Sequence, residues 1–373
     1  MARDTIKAVV PHNQPAIDES DLAAVSGVLT SQWLAQGPQV ASFEAALCQY
    51  LVDDRQDLEL TGVAVSSGSA ALFLALKALE VGQGAEVLVP TYACSSLLNA
   101  VHLTGARPVV VDVSTSDFNP TVEMTAKKLT PRTRVLILTH TFGFPVDAMA
   151  YRDLGVKIVE DCAQSIGARY RGEPVGLVGD VATFSFYATK MLTTGQGGMV
   201  VSADAALIEA VRDYREFDGV HNYYPRFNFQ MTDFQAALGL SQLKRLGSFI
   251  SARHSYAQRY RAAVRDGLGV CWQEVLDAAA TPNCYRFVLK LGAQRARWEA
   301  ALAARGVRCL QPIKPYELLH RYLHLSANDY PGAEEVSESA LSIPIFPALR
   351  EAQVTRIEQG LSELNVQMAV QEQ

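Results

Sequence analysis

The sequence predicts an α/β fold with a mainly parallel central sheet, followed by a smaller C-terminal α+β domain. From residue 62, short and nearly all-apolar stretches alternate with amphipathic stretches. This alternation is typical of buried parallel strands that helices cover on both faces. Past residue 250 the alternation becomes irregular, and the chain of 373 residues is longer than one usual domain. We therefore predict a large domain over residues 1–248, including an N-terminal arm, and a small domain over residues 249–373.

The alternating elements follow one another along the chain. The predicted strands are GVAVSS, AEVLVP, RPVVVDV, RVLILTH and VKIVEDC, and the predicted helices between them are SAALFLALKALE, SSLLNAVHL, VEMTAKKL and VDAMAYRDL. A long helix begins at MTDFQAALGLSQLKRL, where Thr232 and Gln235 fit a capping box. The C-terminal part continues with the helix ARWEAALAARG, the strand SIPIFP and the terminal helix REAQVTRIEQGLSEL.

The predicted strands end in small or polar residues, which are Ser66-Ser67-Gly68, Pro90-Thr91-Tyr92, His140-Thr141 and Asp161. In sheets of this kind, ligands bind at the carboxyl ends of the strands. We therefore expect these strand ends to face one pocket.

Composition and charge narrow the possible partners. Nucleic acids and anionic membranes bind protein surfaces on which Lys and Arg are clustered. The formal net charge of −6 therefore disfavours both, and we expect neither a nucleic acid nor a membrane partner. The N-terminus MARDTIKAVVPHNQP lacks a signal-peptide pattern, and no window is apolar over the length of a membrane span, so the predicted location is cytoplasmic. The six cysteines form no C-x-x-C pair and have no histidine at metal spacing, which predicts reduced thiols and no metal site.

Three short segments carry residues suited to chemistry. In SSGSAAL, residues 66–72, a strand is followed by a turn that opens a helix, and the free amides of a first helical turn bind phosphate well. Asp161 ends an apolar strand, and Lys190 lies in FSFYATKMLTTGQGGMVVS on a glycine-rich connection. Each has an ordinary structural interpretation on its own: a capped turn, an aspartate that caps the next turn, and a solvated lysine.

Together, a phosphate site, a carboxylate and a lysine match the requirements of pyridoxal phosphate (PLP). The lysine holds the aldehyde as a Schiff base, and the carboxylate keeps the ring nitrogen protonated so that the ring accepts electrons. The joint occurrence is far more specific than any of its parts.

The chain resembles the DegT/DnrJ/EryC1/StrS family, sugar aminotransferases with the aspartate aminotransferase fold, also called the type I PLP fold. The motifs that carry the resemblance are SQWLAQGPQVASFEAAL, SSGSAALFLAL, VEDCAQSIGARYRGEPVGLVGDVATFSFYATKMLTTGQGG, NFQMTDFQAALGLSQLKRL and, more weakly, SIPIFPALREAQV. They extend over nearly the whole chain.

The resemblance implies roles for particular residues. Lys190 corresponds to the Schiff-base lysine and Asp161 to the partner of the pyridine nitrogen. The other implied cofactor contacts are Gln164 beside the ring, Gly68, Ser69 and Ser185 at the phosphate, the backbone amide of Ala70, and Asn228, which family members lend to the neighbouring subunit. The resemblance therefore implies a homodimer with shared active sites.

Three positions depart from the family pattern. Cys94 occupies the position at which many relatives have an aromatic residue over the cofactor ring, and Tyr187 one at which histidine is common. Gln230 replaces an arginine that can hold a substrate carboxylate, and Arg226 is close enough in sequence to compensate. The candidate substrate contacts are Trp33, Tyr187, His221, Arg226, Lys314 and Tyr316.

The implied reaction is a transamination from L-glutamate to a keto sugar carried on a nucleotide. The lysine at position 190 argues against the dehydratase branch of the family, which has histidine there. An alternative is a PLP-dependent lyase or desulfurase that acts on an amino acid, although a desulfurase needs a reactive cysteine in an electropositive loop. A non-enzymatic regulator of this fold is a third interpretation, which the retained Lys190 and Asp161 disfavour.

Overall fold

The structure is a computed structural model that describes residues 9–52, 55, 58–264, 271–272 and 277–371. Its strands are β1 (Thr61–Val65), β2 (Glu86–Pro90), β3 (Arg107–Val111), β4 (Thr133–Thr139), β5 (Lys157–Asp161), β6 (Arg169–Tyr170), β7 (Glu173–Pro174), β8 (Val181–Ser185), β9 (Gly198–Ser202), β10 (Cys271–Trp272), β11 (Ala280–Thr281), β12 (Phe287–Lys290) and β13 (Ala340–Ile343). Its α-helices are α1 (Glu19–Ser31), α2 (Pro38–Val52), α3 (Gly68–Ala78), α4 (Ser96–Thr104), α5 (Val122–Ala126), α6 (Ala205–Arg215), α7 (Asp233–Ala263), α8 (Arg295–Ala304), α9 (Leu319–Tyr322), α10 (Pro331–Ser339) and α11 (Glu351–Gln371).

A seven-stranded sheet in the order β1-β9-β8-β5-β4-β2-β3 forms the centre of the molecule. The pairs β2–β3, β2–β4, β4–β5 and β5–β8 are parallel. Every residue of β2 is buried, and the apolar run over residues 87–90 is typical of a strand covered on both faces. The predicted α/β class with a mainly parallel sheet is therefore confirmed.

Strand β9 runs antiparallel to both of its neighbours, β1 and β8. A parallel pair needs a crossover connection, usually a helix, whereas strands joined by a loop alone can reverse direction. Residues 186–197 between β8 and β9 contain no helix, so the chain turns back beside β8. This turn contains Lys190.

The two faces of the sheet bury different helices. Val63 and Val65 of β1 belong to the core that includes α3 and α4, whereas Ala64 between them belongs to the core that includes α2 and α7. This alternation follows from the two-residue period of a strand. The N-terminal end of α3 is thereby held against the sheet at the carboxyl end of β1.

Two local predictions can be compared with the structure. The capping box of α7 is confirmed, since the Thr232 side chain accepts from the Gln235 amide and the Gln235 side chain accepts from the Thr232 amide. The segment predicted as a helix at VDAMAYRDL is instead a 3₁₀ helix over Ala148–Leu154. Asp147 caps its first turn and Gly155, with φ of 70°, ends it after seven residues.

The C-terminal part has its own core and a three-stranded sheet in the order β10-β12-β13. Helix α7 crosses residue 248 without a break, because its 31 residues extend from Asp233 to Ala263. Val10 pairs with Val307, so the N-terminal segment packs onto the C-terminal part. The division at residue 248 therefore stays a prediction. Among the described residues, no helix has the length and apolar character needed to cross a membrane.

Candidate active site

The carboxyl ends of β2, β4, β5 and β8 and the N-terminal end of α3 surround one pocket. The strand-end residues that line it are Ser67, Gly68, Tyr92, His140, Thr141 and Asp161, whereas Ser66, Pro90 and Thr91 do not. Of the predicted cofactor contacts, the pocket lining includes Gly68, Ser69, Cys94, Asp161, Gln164, Ser185 and Lys190. The structure thus brings together residues that lie far apart in the sequence.

Lys190 reaches the pocket from the turn between β8 and β9. Its backbone amide donates to the Tyr187 carbonyl at 2.9 Å, and its Nζ lies 5.5 Å from the centroid of the Tyr285 ring. Two features of the glycine-rich segment hold this turn. The φ of Gly195 is 76°, and a Cβ on Gly197 would lie 2.3 Å from the Thr194 hydroxyl.

Asp161 ends β5 and is enclosed by the protein except at the pocket. Its Oδ1 accepts a hydrogen bond from the Ala163 amide at 3.0 Å, and among the described residues no cation forms an ion pair with it. Burial raises the pKa of this carboxyl group, an effect that the hydrogen bond from the Ala163 amide and the charge of Lys190 oppose. A cationic group bound in the pocket would keep the carboxylate ionised, and a protonated pyridine nitrogen is such a group.

The N-terminal end of α3 approaches β8 closely. A Cβ on Gly68 would lie 2.7 Å from the Cβ of Ser185, so only glycine allows this approach. Ser67 is the N-cap of α3, and its hydroxyl accepts from the Ala70 amide at 3.1 Å. That amide is therefore engaged within the helix, and its predicted contact with a phosphate stays a prediction. Ser69 and Ser185 lie at the pocket with the positive end of the helix dipole behind them.

Gln164 is held by the turn after β4. Its side-chain oxygen accepts from the Phe142 amide at 2.9 Å, which leaves its NH₂ group as the donor available to a ligand. Phe142 has a positive φ of 58° and lines the pocket. This unusual backbone conformation directs its amide to Gln164.

The pocket also contains two buried hydroxyl groups, that of the predicted strand-end residue Tyr92 and that of Thr183, which sequence reasoning missed. Tyr92 and Thr183 are each about 1% exposed, and the hydroxyl oxygen of neither has a hydrogen-bond partner among the described residues. Thr183 pairs with Asp161 on the neighbouring strand. Buried polar atoms normally have partners, so two such atoms in one pocket indicate a polar ligand. With the close approach at Gly68, the unpaired Asp161 and Lys190, they fit PLP.

Seven predicted residues do not line the pocket of this chain: Trp33, Ala70, His221, Arg226, Asn228, Lys314 and Tyr316. The Arg226 guanidinium pairs with Asp213 at 3.0 Å and donates to Asn222, so it is already neutralised. Tyr187 and Cys94 do line the pocket, and both are exposed. The substrate roles of these residues stay predictions.

His140, which lines the pocket, forms a buried hydrogen-bonded pair with Glu160, the residue before Asp161 in β5. The Val146 amide donates to His140 Nδ1, so His140 Nε2 carries the proton that it donates to Glu160 at 3.0 Å. Amides of Gly176, Val178 and Gly179 donate to the same carboxylate. The donor atoms of His140, Glu160 and Cys162 lie within 4.8 Å of one another, but both Glu160 oxygens are already engaged. These contacts give the group a structural role.

Replacing Glu160 with glutamine should destabilise the protein by about 3 kcal/mol at neutral pH, because the backbone amides lose a charged acceptor. Burial raises the pKa of Glu160, but the hydrogen bonds from His140 and the glycine amides outweigh it and hold that pKa below the ordinary 4.5. The ionised carboxylate therefore contributes its full stabilisation at pH values above 4.5. This contribution is lost as the pH falls through the lower pKa of the folded state. Urea unfolding at several pH values measures the difference.

The control is Glu173→Gln, which removes an exposed carboxylate paired with Arg55. We expect less than about 1 kcal/mol there. Equal unfolding free energies for Glu160→Gln and the wild type at pH 7 would contradict the structural role.

Most cysteines are unsuited to the nucleophilic role that a desulfurase requires. Cys48, Cys162, Cys284 and Cys309 are buried, and burial raises the pKa of each thiol. Cys94 is exposed at the pocket, where no arginine or lysine pairs with it among the described residues. The desulfurase alternative is therefore not favoured.

Known proteins resemble this chain over nearly its whole length. The model of the DegT/DnrJ/EryC1/StrS aminotransferase family matches residues 15–362. A curated relative, GDP-perosamine synthase of Escherichia coli O157:H7, is 29% identical over 364 residues, which cover 95% of this chain and 98% of the relative. Among solved structures, the aminotransferase TlmJ from Streptoalloteichus hindustanus is 31% identical with a TM-score of 0.88, covering 97% of this chain and 100% of TlmJ. DesV from S. venezuelae is 31% identical with a TM-score of 0.85, covering 92% of this chain and 94% of DesV.

Proposed function

Because the chain belongs to the DegT/DnrJ/EryC1/StrS aminotransferase family, we propose that it transfers an amino group from L-glutamate to a keto sugar carried on a nucleotide. The chain is a PLP-dependent aminotransferase with the predicted type I fold. The observation that carries the proposal is the presence of Lys190 and Asp161 in one pocket beside the N-terminal end of α3. The similarity to a GDP-perosamine synthase supports a nucleotide-linked sugar as the acceptor.

Some residues of the pocket are suited to binding the cofactor, and Lys190 is suited to proton transfer. When bound, PLP supplies a ring that accepts electrons from the substrate carbon. Asp161 would accept a hydrogen bond from the ring nitrogen and keep it protonated, while Ser69, Ser185 and the α3 dipole would hold the phosphate. Lys190 would hold the aldehyde carbon of the cofactor, and its amine would carry a proton to and from the substrate carbon.

The direct test is product analysis. Purified enzyme is incubated with L-glutamate and a panel of nucleotide-linked 3-keto and 4-keto sugars, and mass spectrometry follows both products. We expect an amino sugar in which an amino group replaces the keto oxygen, with an equal amount of 2-oxoglutarate. Ammonia, sulfide or carbon dioxide released from an amino acid without any sugar would instead support a lyase.

We further propose that the active unit is a homodimer in which Asn228 completes the partner's phosphate site. Asn228 is exposed in this chain, but its neighbours Phe227 and Phe229 pack against Phe73 of α3, with ring centroids 4.9 and 6.1 Å away. The Phe229 carbonyl also accepts from the Ser66 amide at 2.7 Å. The backbone at Asn228 is therefore fixed while its side chain faces outward, as a contact to a second subunit requires.

Mixing Lys190→Ala with Asn228→Ala chains should restore activity that neither variant has alone. In a mixed dimer, one site receives Lys190 from one chain and Asn228 from the other, so it is intact. Random exchange of equal amounts should return about one quarter of the wild-type sites. Steady-state assay before and after subunit exchange measures this recovery.

Light scattering provides the accompanying control for assembly. A fully active monomer at assay concentration would exclude a shared site. Near-wild-type activity of the Asn228→Ala homodimer would show that Asn228 satisfies only its own loop.

A further inference from the structure

Arg286 lies beside the pocket without an acidic partner among the described residues. Its Cζ is 5.4 Å from the centroid of the Phe142 ring, which lines the pocket, and 5.6 Å from that of Tyr285. Among the described residues, the hydrogen bonds of its Nη1 are both long, 3.5 Å to His12 Nε2 and 3.4 Å to the Ser342 hydroxyl. Its Nε is buried and has no hydrogen-bond partner among the described residues, although the residue as a whole is only half-buried. A partly buried cation without a countercharge is unfavourable, so this placement points to an anion that enters with a ligand.

Other candidates for binding an anion are already engaged. Arg226 pairs with Asp213, and the Gln230 side chain donates to Glu216 at 3.1 Å. Arg253 is fully buried, and its Nη1 donates to backbone carbonyls, including that of Ile345 at 2.6 Å. Arg286 is therefore the guanidinium beside the pocket that retains a free donor in the described part of the chain.

The surroundings of Arg286 leave its positive charge in place. Burial, together with the Arg286 and Arg253 guanidinium groups, lowers the pKa of His12 to about 3, so this histidine is neutral at working pH. No described carboxylate balances the guanidinium. The nearby Tyr92 hydroxyl is a second buried donor for which the described part of the chain offers no partner, and the Tyr92 ring lies 6.0 Å from the Phe142 ring.

Arg286 and Lys190 contact the same tyrosine. The Lys190 Nζ lies 5.5 Å from the centroid of the Tyr285 ring, and the Arg286 Cζ lies 5.6 Å from the same centroid. Burial by itself raises the pKa of the Tyr285 hydroxyl, but the charges of Lys190, Arg286 and Arg253 and a hydrogen bond with Thr189 together outweigh it and hold that pKa below its ordinary value. The reacting lysine and the free guanidinium thus share one positively charged region, which suits an amino acid with its amino group at Lys190.

We propose that Arg286 binds a carboxylate of the amino-acid donor and thereby positions that donor at Lys190. This inference rests on the proposed function, since only the first of the two half-reactions uses an amino acid. The keto sugar of the second half-reaction needs no such carboxylate contact. Arg286 would therefore set donor specificity without affecting the acceptor.

The two half-reactions can be measured separately by stopped-flow absorbance of the cofactor. PLP-loaded enzyme is mixed with L-glutamate alone, and the amine form of the enzyme is mixed with the nucleotide-linked keto sugar alone. In Arg286→Gln, the L-glutamate concentration at half-maximal rate should rise by about 10- to 100-fold, as expected for loss of a hydrogen-bonded charge. The dependence on keto sugar should change by less than about twofold.

Two further variants and one binding measurement complete the design. Arg286→Lys keeps the charge but loses the bidentate geometry, so its effect should be intermediate. Arg259→Gln removes a guanidinium already paired with Glu351 and Glu358 and should change neither half-reaction. Succinate, which has carboxylates but no amino group, should perturb the cofactor spectrum of the wild type and bind Arg286→Gln at least about tenfold more weakly.

An unchanged dependence on L-glutamate and unchanged succinate binding would overturn the assignment of Arg286. Equal losses in both half-reactions would overturn it as well, because they would indicate a purely structural residue. Failure of the wild type with L-glutamate and every keto sugar would contradict the proposed function instead. Succinate binding would then still decide whether Arg286 receives a carboxylate.

Discussion

Replacing Lys190 with alanine should reduce transamination by about 10⁴-fold or more while the cofactor still binds. The variant loses both the covalent link and the amine that transfers the proton, and proton transfer alone is commonly worth up to about 10⁴-fold. The phosphate site and Asp161 remain, so PLP or its amine form should stay bound noncovalently. Single-turnover rates and the visible absorbance of the purified variant measure the two effects separately.

Borohydride reduction of the wild type identifies the lysine directly. We expect reduction to abolish the visible absorbance and to leave the pyridoxyl group on one peptide that contains Lys190, because hydride converts the C=N bond to lysine into a stable C–N single bond. Lys157→Ala is the control, since Lys157 is exposed and pairs with Asp180 at 2.9 Å. A labelled peptide without Lys190, or a wild-type protein that stays colourless with added PLP, would refute this assignment.

The strands and helices around the pocket were predictable because the spacing of apolar residues that defines each element lies within a short stretch of sequence. Strand β2 is apolar over residues 87–90 and fully buried, and Thr232 with Gln235 formed the predicted cap of α7. The antiparallel direction of β9 was not predictable from its own sequence, since MVV fits either direction. That direction follows from the helix-free turn before it. Direction in a sheet is thus a property of the connection and not of the strand.

The candidate site was predictable where a residue ends a strand. Asp161, Gly68 and Lys190 flank apolar runs, and the carboxyl ends of parallel strands meet at one edge. Arg286 carries no such pattern, because RFVLK is an ordinary strand sequence and its neighbour His12 is 274 residues away in the chain. The same holds for Phe142, whose positive φ appears only in the folded turn. Contacts of this kind depend on tertiary packing.

Replacing Asp161 with asparagine should slow both half-reactions by several orders of magnitude. Asparagine has nearly the same shape but no charge, so the ring nitrogen loses the group that keeps it protonated and the ring accepts electrons less readily. A loss of about 4 kcal/mol in transition-state stabilisation corresponds to roughly a thousandfold in rate. Burial raises the pKa of the Asp161 carboxyl group, whereas a bound ring cation favours its ionised form. Because asparagine cannot form this charge pair, PLP should bind the variant more weakly.

The role of the charge can be separated from that of the shape by changing the cofactor. N-methylated PLP carries a permanent positive charge on its ring nitrogen, so it should restore part of the lost rate to Asp161→Ala, which has room for the methyl group. Asp153→Asn, an exposed position, is the control and should react as the wild type does. Near-wild-type turnover of Asp161→Asn with PLP would mean that the ring nitrogen does not face Asp161. Absence of rescue in Asp161→Ala, together with normal binding of the methylated cofactor, would assign Asp161 to positioning the ring and not to charging it.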